Sequence, residues 1–263
     1  MPHGSRAAFL VTLWLVAAAT AAAQIPEAAR TSFAEGKYII AATLAEGDGS
    51  ADALAFASRA RIADAITREE GLCGECLAEA EATAEAAIKR DPGNAEAHVQ
   101  LAIAIGFRGR LVGPLEAQAE GLVEKGRAAI DRALECDPNS IWARASLGGW
   151  HLEIVHRAGS ILAAVLYGAN EEDGLADFRK ALKADPDSLL LNYHFALSVL
   201  ALDQERFKDE ALAALAAGGR DAQTDALTAF MRARALTLEK TLKAGSADEI
   251  AALVHRYQGY PGD

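Results

Sequence analysis

The amino-acid sequence predicts an all-α fold, a solenoid of helical hairpins, and three observations carry that reading. The fifteen residues from Gly126 to Ser140 are echoed by Ala80 to Asn94 and by Gly174 to Ser188. Each copy runs from a small residue to Ala, Ile or Phe four positions later, to Ala three further on, then to Asp-Pro and a capping residue. Such recurrence marks a repeat array, whose units bury their apolar faces on their neighbours. Second, Ala and Leu dominate, aromatic residues are only 6% and β-branched runs are scarce, so helix propensity is high nearly throughout. Third, Ser, Asn and Asp at helix starts and Gly or Asp-Pro at helix ends fall between the periodic stretches, as caps and stops do.

Residues 1–23 read as a secretory signal. Arg6 supplies a positive start, Ala7 to Ala19 an apolar run, and Ala21-Ala22-Ala23 a small-residue site with cleavage before Gln24. The other reading, an uncleaved anchor, needs roughly 18–20 apolar residues to span a bilayer, more than this stretch holds. No Cys follows the site, so a bacterial lipoprotein is not indicated. The expectation is an exported chain without a transmembrane segment in 24–263, periplasmic in a Gram-negative cell and otherwise secreted. Its net charge of −11, or −12 without residues 1–23, argues against a nucleic-acid or anionic-membrane surface, which needs a basic stripe.

The elements follow in order. Glu27 to Leu44 reads as the first helix, Gly47-Asp48-Gly49 breaks it, and Ser50 caps a second from Ala51 to about Glu69. Together they form a degenerate pair over 25–70. Leu77 to Arg90 is the third helix and opens the repeats proper, about 76–217. The turn before it carries Cys73-Gly74-Glu75-Cys76. In an oxidising compartment a local disulfide is the expected state. The alternatives ask for more: a thioredoxin-like centre needs a strand before the motif, and zinc needs two further ligands that the sequence does not supply at any recognised spacing. Cys136 reads as an inert thiol. Past Ala201 the pattern shortens into Phe207–Ala217. Asp221 then caps Ala222–Lys243, and Ser246-x-x-Glu249 is a capping box for a last helix to Tyr257. These helices, 221–258, cap the solenoid, with Arg220, Arg232, Arg234 and Lys240 on a solvated outer face.

The repeated positions resemble those of the tetratricopeptide repeat family. The match runs through Ala80, Ala84, Ala87, Pro92, Ala97, Leu101 and Ala102. It returns at Gly126, Ile130, Ala133, Pro138, Ala143, Leu147 and Gly148, and again at Gly174, Phe178, Ala181, Pro186, Phe195 and Ala196. Small residues let paired helices approach, bulky ones fill the groove between them, and Pro ends one helix before Asn94, Ser140 or Ser188 caps the next. The resemblance covers about Ser32 to Ala217 and implies a right-handed superhelix. Successive Asp-Pro turns lie 46 and 48 residues apart, against about 34 in a regular repeat. Each of the two central repeats therefore carries an insertion of about 12 to 14 residues, placed at Gly106–Glu116 and Arg157–Asn170, with Ala158–Tyr167 lengthening a helix or forming a short one. Leu147-Gly148-Gly149-Trp150, Leu166-Tyr167-Gly168 and Phe178-x-x-Ala181-Leu182 are also similar to the repeat region of the regulator of microtubule dynamics family.

No catalytic constellation is present: there is no G-x-S-x-G, Walker loop, H-E-x-x-H or dinucleotide fingerprint after a strand. The carboxylates of Glu69-Glu70 and Glu171-Glu172-Asp173 sit at turns as solvated charges. His98, His151, His156 and His194 fall on first helices of repeats, and His151 stands where the tetratricopeptide family often has Tyr, a packing role. The expectation is a non-enzymatic binding protein without cofactor or metal. The family's register implies a concave wall of Val99, Ile103 and Phe107, then Trp142, Gly149 and Leu152, then Tyr193, His194 and Leu197. Arg108, Arg110, Arg144 and Arg157 lie near its rim. The insertions either leave this wall open as a groove or fold back and bury it as core. Two functions follow: an adaptor holding a protein or peptide partner, or a carrier of a small apolar or carboxylated ligand, similar to the periplasmic component of TRAP transporters. The candidate site is Phe107, Trp142, Arg144, Trp150, Arg157, Tyr193 and His194, with an Arg offering a bidentate fork to a carboxylate.

Overall fold

The computed structural model describes residues 25–69 and 71–261. The signal-like segment, including Trp14, lies outside the described residues. Those residues form thirteen α-helices and no strand. In chain order they are α1 (Glu27–Ala34), α2 (Tyr38–Asp48), α3 (Ala51–Thr67), α4 (Gly74–Arg90), α5 (Ala95–Leu111), α6 (Pro114–Ala119) and α7 (Leu122–Cys136). They continue with α8 (Ile141–Leu162), α9 (Glu171–Ala184), α10 (Leu189–Leu202), α11 (Gln204–Gly218), α12 (Ala226–Ala244) and α13 (Ala247–Gln258). Neighbours pack as antiparallel hairpins, α2 on α3, α4 on α5, α5 on α7, α8 on α9 and α10 on α11, so the protein is an all-helical solenoid. No single helix among the described residues is long and apolar enough to cross a membrane.

Helix starts obey the expected chemistry. Ser50, Asn94, Ser140 and Ser188 each accept a hydrogen bond from the backbone N–H three residues on. Such a cap contributes about 1 kcal/mol by satisfying an otherwise orphaned donor. The capping box of Ser246 and Glu249 is formed. Cys73 and Cys76 are disulfide-bonded with Cα atoms 5.3 Å apart, and Cys73 is also the N-cap of α4. Cys136 is a free, half-buried thiol against the Pro92 carbonyl.

Several boundaries depart from the sequence reading, α2 running on to Asp48 and α4 starting at Gly74 among them, and three have a visible cause. The first helix is two, broken at Glu35–Lys37, where Gly36 has φ 79°. A Cβ on Gly36 would lie 3.0 Å from the Cβ of Ala226, so the break lets α12 come in beside α1. Helix α12 starts at Ala226, capped by Asp225 and not Asp221. Asp221 instead accepts the N–H of Leu189 at 2.9 Å, holding the α11–α12 loop on α10. Lastly, α11 begins earlier than Phe207, at Gln204, because Asp203 accepts from the amides of Glu205 and Arg206.

The first insertion borders the concave face, and the second folds outward. One extends α5 and adds α6. The other kinks α8 at Gly159, φ 76°, and ends in a π-helical turn over Ala163–Tyr167. Ile161 and Val165 on this projection are 77% and 76% exposed, so it does not cover the concave wall. That wall is closed from elsewhere. Helices α12 and α13 pack on α10, and α12 reaches back to α1 and α3, joining Ala29, Phe56, Tyr193, Leu238 and Val254 in one core. The last helices are thus an inner wall and not an outer cap.

The α8–α9 pair shows why small residues recur. A Cβ on Gly148 would stand 2.7 Å from the amide nitrogen of Phe178 and 2.8 Å from the carbonyl oxygen of Gly174, so the two backbones touch. Gly148→Ala should therefore cost about 1–3 kcal/mol by overpacking, although Ala is the better helix former by about 1 kcal/mol. Gly106→Ala, on α5 with nothing within 4 Å of its Cβ, should be neutral or stabilising. Urea unfolding of both variants checks this, and a Gly148→Ala midpoint at or above wild type would contradict the packing.

Candidate binding groove

Three helices supply the side chains at the heart of the concave face. Helix α5 brings Phe107 and Arg110, α8 brings Trp142, Trp150, Glu153 and Arg157, and α10 brings Tyr193 and His194. Within α5 and α8 most of them lie at three- and four-residue steps, so each helix presents them on one face. They border two spaces. An inner cavity of about 210 Å³ lies between α5, α7 and α8 and is walled by Ile103, Trp142, Trp150, Ile154 and Phe178. An outer groove of about 1450 Å³ lies between the end of α3 and helices α12 and α13, with Ile66, Leu72 and Met231 as apolar lining and Arg234, Lys240 and Arg256 as cations. Phe107 and His194 border both spaces and meet edge-on, ring centroids 6.5 Å apart. They form the partition.

At one end of the inner cavity a polar clamp is built from distant parts of the chain. Arg110 Nη2 donates to Glu153 Oε2 at 3.1 Å, and Arg110 Nη1 donates to the carbonyl of Gln258 at 3.0 Å. The Tyr260 hydroxyl donates to the other Glu153 oxygen. Arg157 donates to the Gly109 carbonyl at 2.7 Å and lies 5.6 Å from the Tyr260 ring centroid. Burial pushes the Glu153 carboxyl up, but Arg110, the Tyr260 hydroxyl and Arg157 together outweigh it and hold the group below its ordinary range. Glu153 is therefore an anion inside the protein. Burial raises the Tyr260 hydroxyl well above the usual tyrosine value, with Glu153 adding to it.

Two groups beside the clamp are poised differently. His194 opens only to the groove and the cavity, and burial, reinforced by Arg110 and Arg234, lowers it to about 4. It is a neutral imidazole at pH 7. Tyr193 is 1% exposed, and burial pushes its hydroxyl far up against the opposing pull of Arg234. Among those residues no group of three or more His, Cys, Asp or Glu is placed to hold a metal ion.

Of the residues singled out from sequence, Phe107, Trp142, Trp150, Arg157 and His194 line the inner cavity. Tyr193 borders the outer groove, while Val99, Leu152 and Leu197 are core. The wall is thus part groove and part core. Arg144 lines neither space: it donates to Asp177 Oδ1 and to the Pro138 carbonyl, both at 3.1 Å, which ties the α8 start to α9. Trp150 is anchored by its indole N–H on the Val123 carbonyl at 3.0 Å. Arg108 turns away to Glu81 and Glu120. Sequence reasoning missed Glu153, whose signal was its place three residues after Trp150 and four before Arg157. It also set Arg234 and Lys240 on a solvated outer face, whereas both line the groove. Tyr260 carried no local signal.

The family model for Regulator of microtubule dynamics protein 1-3 matches residues 37–225. That is most of the chain, α2 through α11, and the chain belongs to this family. No curated protein matches the sequence. Helices α12 and α13, which wall the outer groove, follow the matched segment.

The depressed imidazoles give a signed pH dependence. The unfolded chain takes up protons near pH 6.5, whereas His194 in the fold does so only near 4 and His151, also buried, is lowered too. Stability is complete above about pH 6.5 and is lost as pH falls toward 4. Between pH 7 and 5 the wild type should lose about 1–2 kcal/mol more than His194→Phe. Urea midpoints at the two pH values measure this, and equal losses would contradict a neutral buried His194.

Proposed function

We propose that this member of the regulator of microtubule dynamics family is an exported, non-enzymatic adaptor that holds an extended segment of a partner protein in its concave groove. Export rests on the signal pattern of residues 1–23. We read the hairpins as tetratricopeptide-like, since their small, bulky and Pro positions recur in that register. The observation that carries the reading is the outer groove itself. In a chain of net charge −11, its lining sets Arg68, Arg234, Lys240 and Arg256 against Glu69 and Glu249, a cationic excess beside Leu72, Phe107 and Met231. Apolar lining and cationic excess suit a peptide with apolar anchors and acidic flanks.

A second reading, a carrier of a small apolar or carboxylated ligand, is favoured by one feature: the apolar inner cavity walled by Ile103, Trp142, Trp150, Ile154 and Phe178. Such a space suits a small ligand oriented by few polar groups.

Crosslinking and mass spectrometry of partners from the exported fraction separate these readings. Arg234→Ala and Phe107→Ala should each reduce capture of the same partner about tenfold or more, the range of interface anchors. Arg144→Ala, paired with Asp177 outside the groove, should leave capture unchanged. Native mass spectrometry that finds a retained small molecule, lost on Phe107→Ala with no protein partner captured, would move the conclusion to the carrier.

A further inference from the structure

The last turn of α13 and the left-handed step at Gly259 lie against the clamp. Within Gln258–Pro261 the backbone amides of Gly259 and Tyr260 close the helix end on Arg256 and His255. The remaining polar contacts described above go to other helices: the Gln258 carbonyl to Arg110 and the Tyr260 hydroxyl to Glu153. The Tyr260 ring lies between Arg157 and the stacked imidazole of His255, 4.8 Å away. Gly259 has φ 87°, and a Cβ there would fall 2.4 Å from Leu72 Cδ1. Positive φ alone strains any L side chain, so glycine is required at that step. Leu72 in turn directly precedes the disulfide-pinned turn of Cys73.

The groups that receive this segment are also tied to elements other than it. Arg110 and Glu153 bond one another, and Arg157 is fixed on the Gly109 carbonyl. Removal of the segment would leave unmet hydrogen-bonding groups, a guanidinium N–H for a carbonyl and a carboxylate oxygen for a hydroxyl, beside a cation for an aromatic face and Leu72 against a glycine.

We propose that Arg110, Glu153, Arg157 and Leu72 form a docking site for a partner peptide carrying Gly-Tyr in the left-handed turn that ends a helix. The chain's own Gln258–Pro261 segment occupies it in cis, and such a partner displaces it. This deepens the adaptor reading and rests on it, by naming the chemistry of one anchor of the captured segment. The Tyr hydroxyl reads Glu153, the carbonyl before the Gly reads Arg110, and the Gly passes Leu72.

The test uses the full chain and a fluorescent peptide with the sequence of residues 256–263, read by fluorescence anisotropy. Tyr260→Ala, which empties the cis occupant, should bind the peptide at least tenfold tighter than wild type. Glu153→Gln added to Tyr260→Ala should reverse most of that gain. Peptides with Ala for the tyrosine or for its preceding glycine should bind at least tenfold more weakly. Circular dichroism and thermal melting confirm that the variants are folded. If Tyr260→Ala does not fold, Tyr260→Phe, which removes only the hydroxyl, takes its place with a smaller gain expected. A folded Tyr260 variant that binds no better than wild type, or binding indifferent to the peptide's tyrosine, overturns the proposal. If Arg234→Ala still abolishes partner capture in that case, the adaptor reading stands without this anchor. If peptide binding follows the pattern and Arg234→Ala leaves capture intact, the docking site stands and the cationic groove does not.

Discussion

Arg110 and Glu153 face one another inside the protein, and the closure of the concave surface depends on that pair. Each ion taken from water into a protein interior costs several kcal/mol, and attraction offsets this only when the remaining donors and acceptors are also satisfied. Here a carbonyl, a tyrosine hydroxyl and a second guanidinium close to Tyr260 supply most of what is missing. The first two come from the end of α13 and the chain after it, about 150 residues beyond Arg110 in sequence. A pair that is expensive alone thus becomes the point at which α5, α8 and the last turn of α13 are registered. One donor, Arg110 Nε, has no partner among the described residues, so the clamp is nearly but not fully satisfied.

Close backbone approach draws α8 onto α9, and α7 meets α5 in ordinary side-chain contact. Gly148 and Gly174 let α8 and α9 touch, and a Cβ on Gly126 of α7 would stand 3.5 Å from Ile105 of α5. Hairpins drawn together in this way present their bulky residues on the inner side, where Phe107, Trp142 and Trp150 leave the small apolar cavity. The partition of Phe107 and His194 then sits directly between the cavity and the cationic groove. Burial keeps that imidazole neutral, so the charge at the partition comes from the arginines on either side.

The helical solenoid was legible because its signals are local. Asn94, Ser140, Ser188 and Ser246 cap within three residues, and Asp-Pro ends helices in place; the disulfide needed only two cysteines three residues apart. The break at Gly36 was not legible, since its reason is Ala226 on a helix almost two hundred residues later. For the same reason Arg144 was assigned to the groove, although it lines neither space and its partner Asp177 lies on the neighbouring helix. Periodicity identified which faces are apolar. It gave no account of how the last two helices return over them, because nothing in Ala226–Gln258 states that its apolar stripe packs on α10 and not on a further repeat.

Coupling between Glu153 and Tyr260 tests the central claim, that the end of α13 is clamped into the concave face, most directly. A double-mutant cycle of Glu153→Gln and Tyr260→Phe, read by urea unfolding, isolates that contact from each residue's other interactions. A coupling energy of about 1 kcal/mol or more is predicted, in the range of hydrogen bonds to a charged partner. Additive effects of the two substitutions, within about 0.3 kcal/mol, would contradict it and leave the groove open at that end.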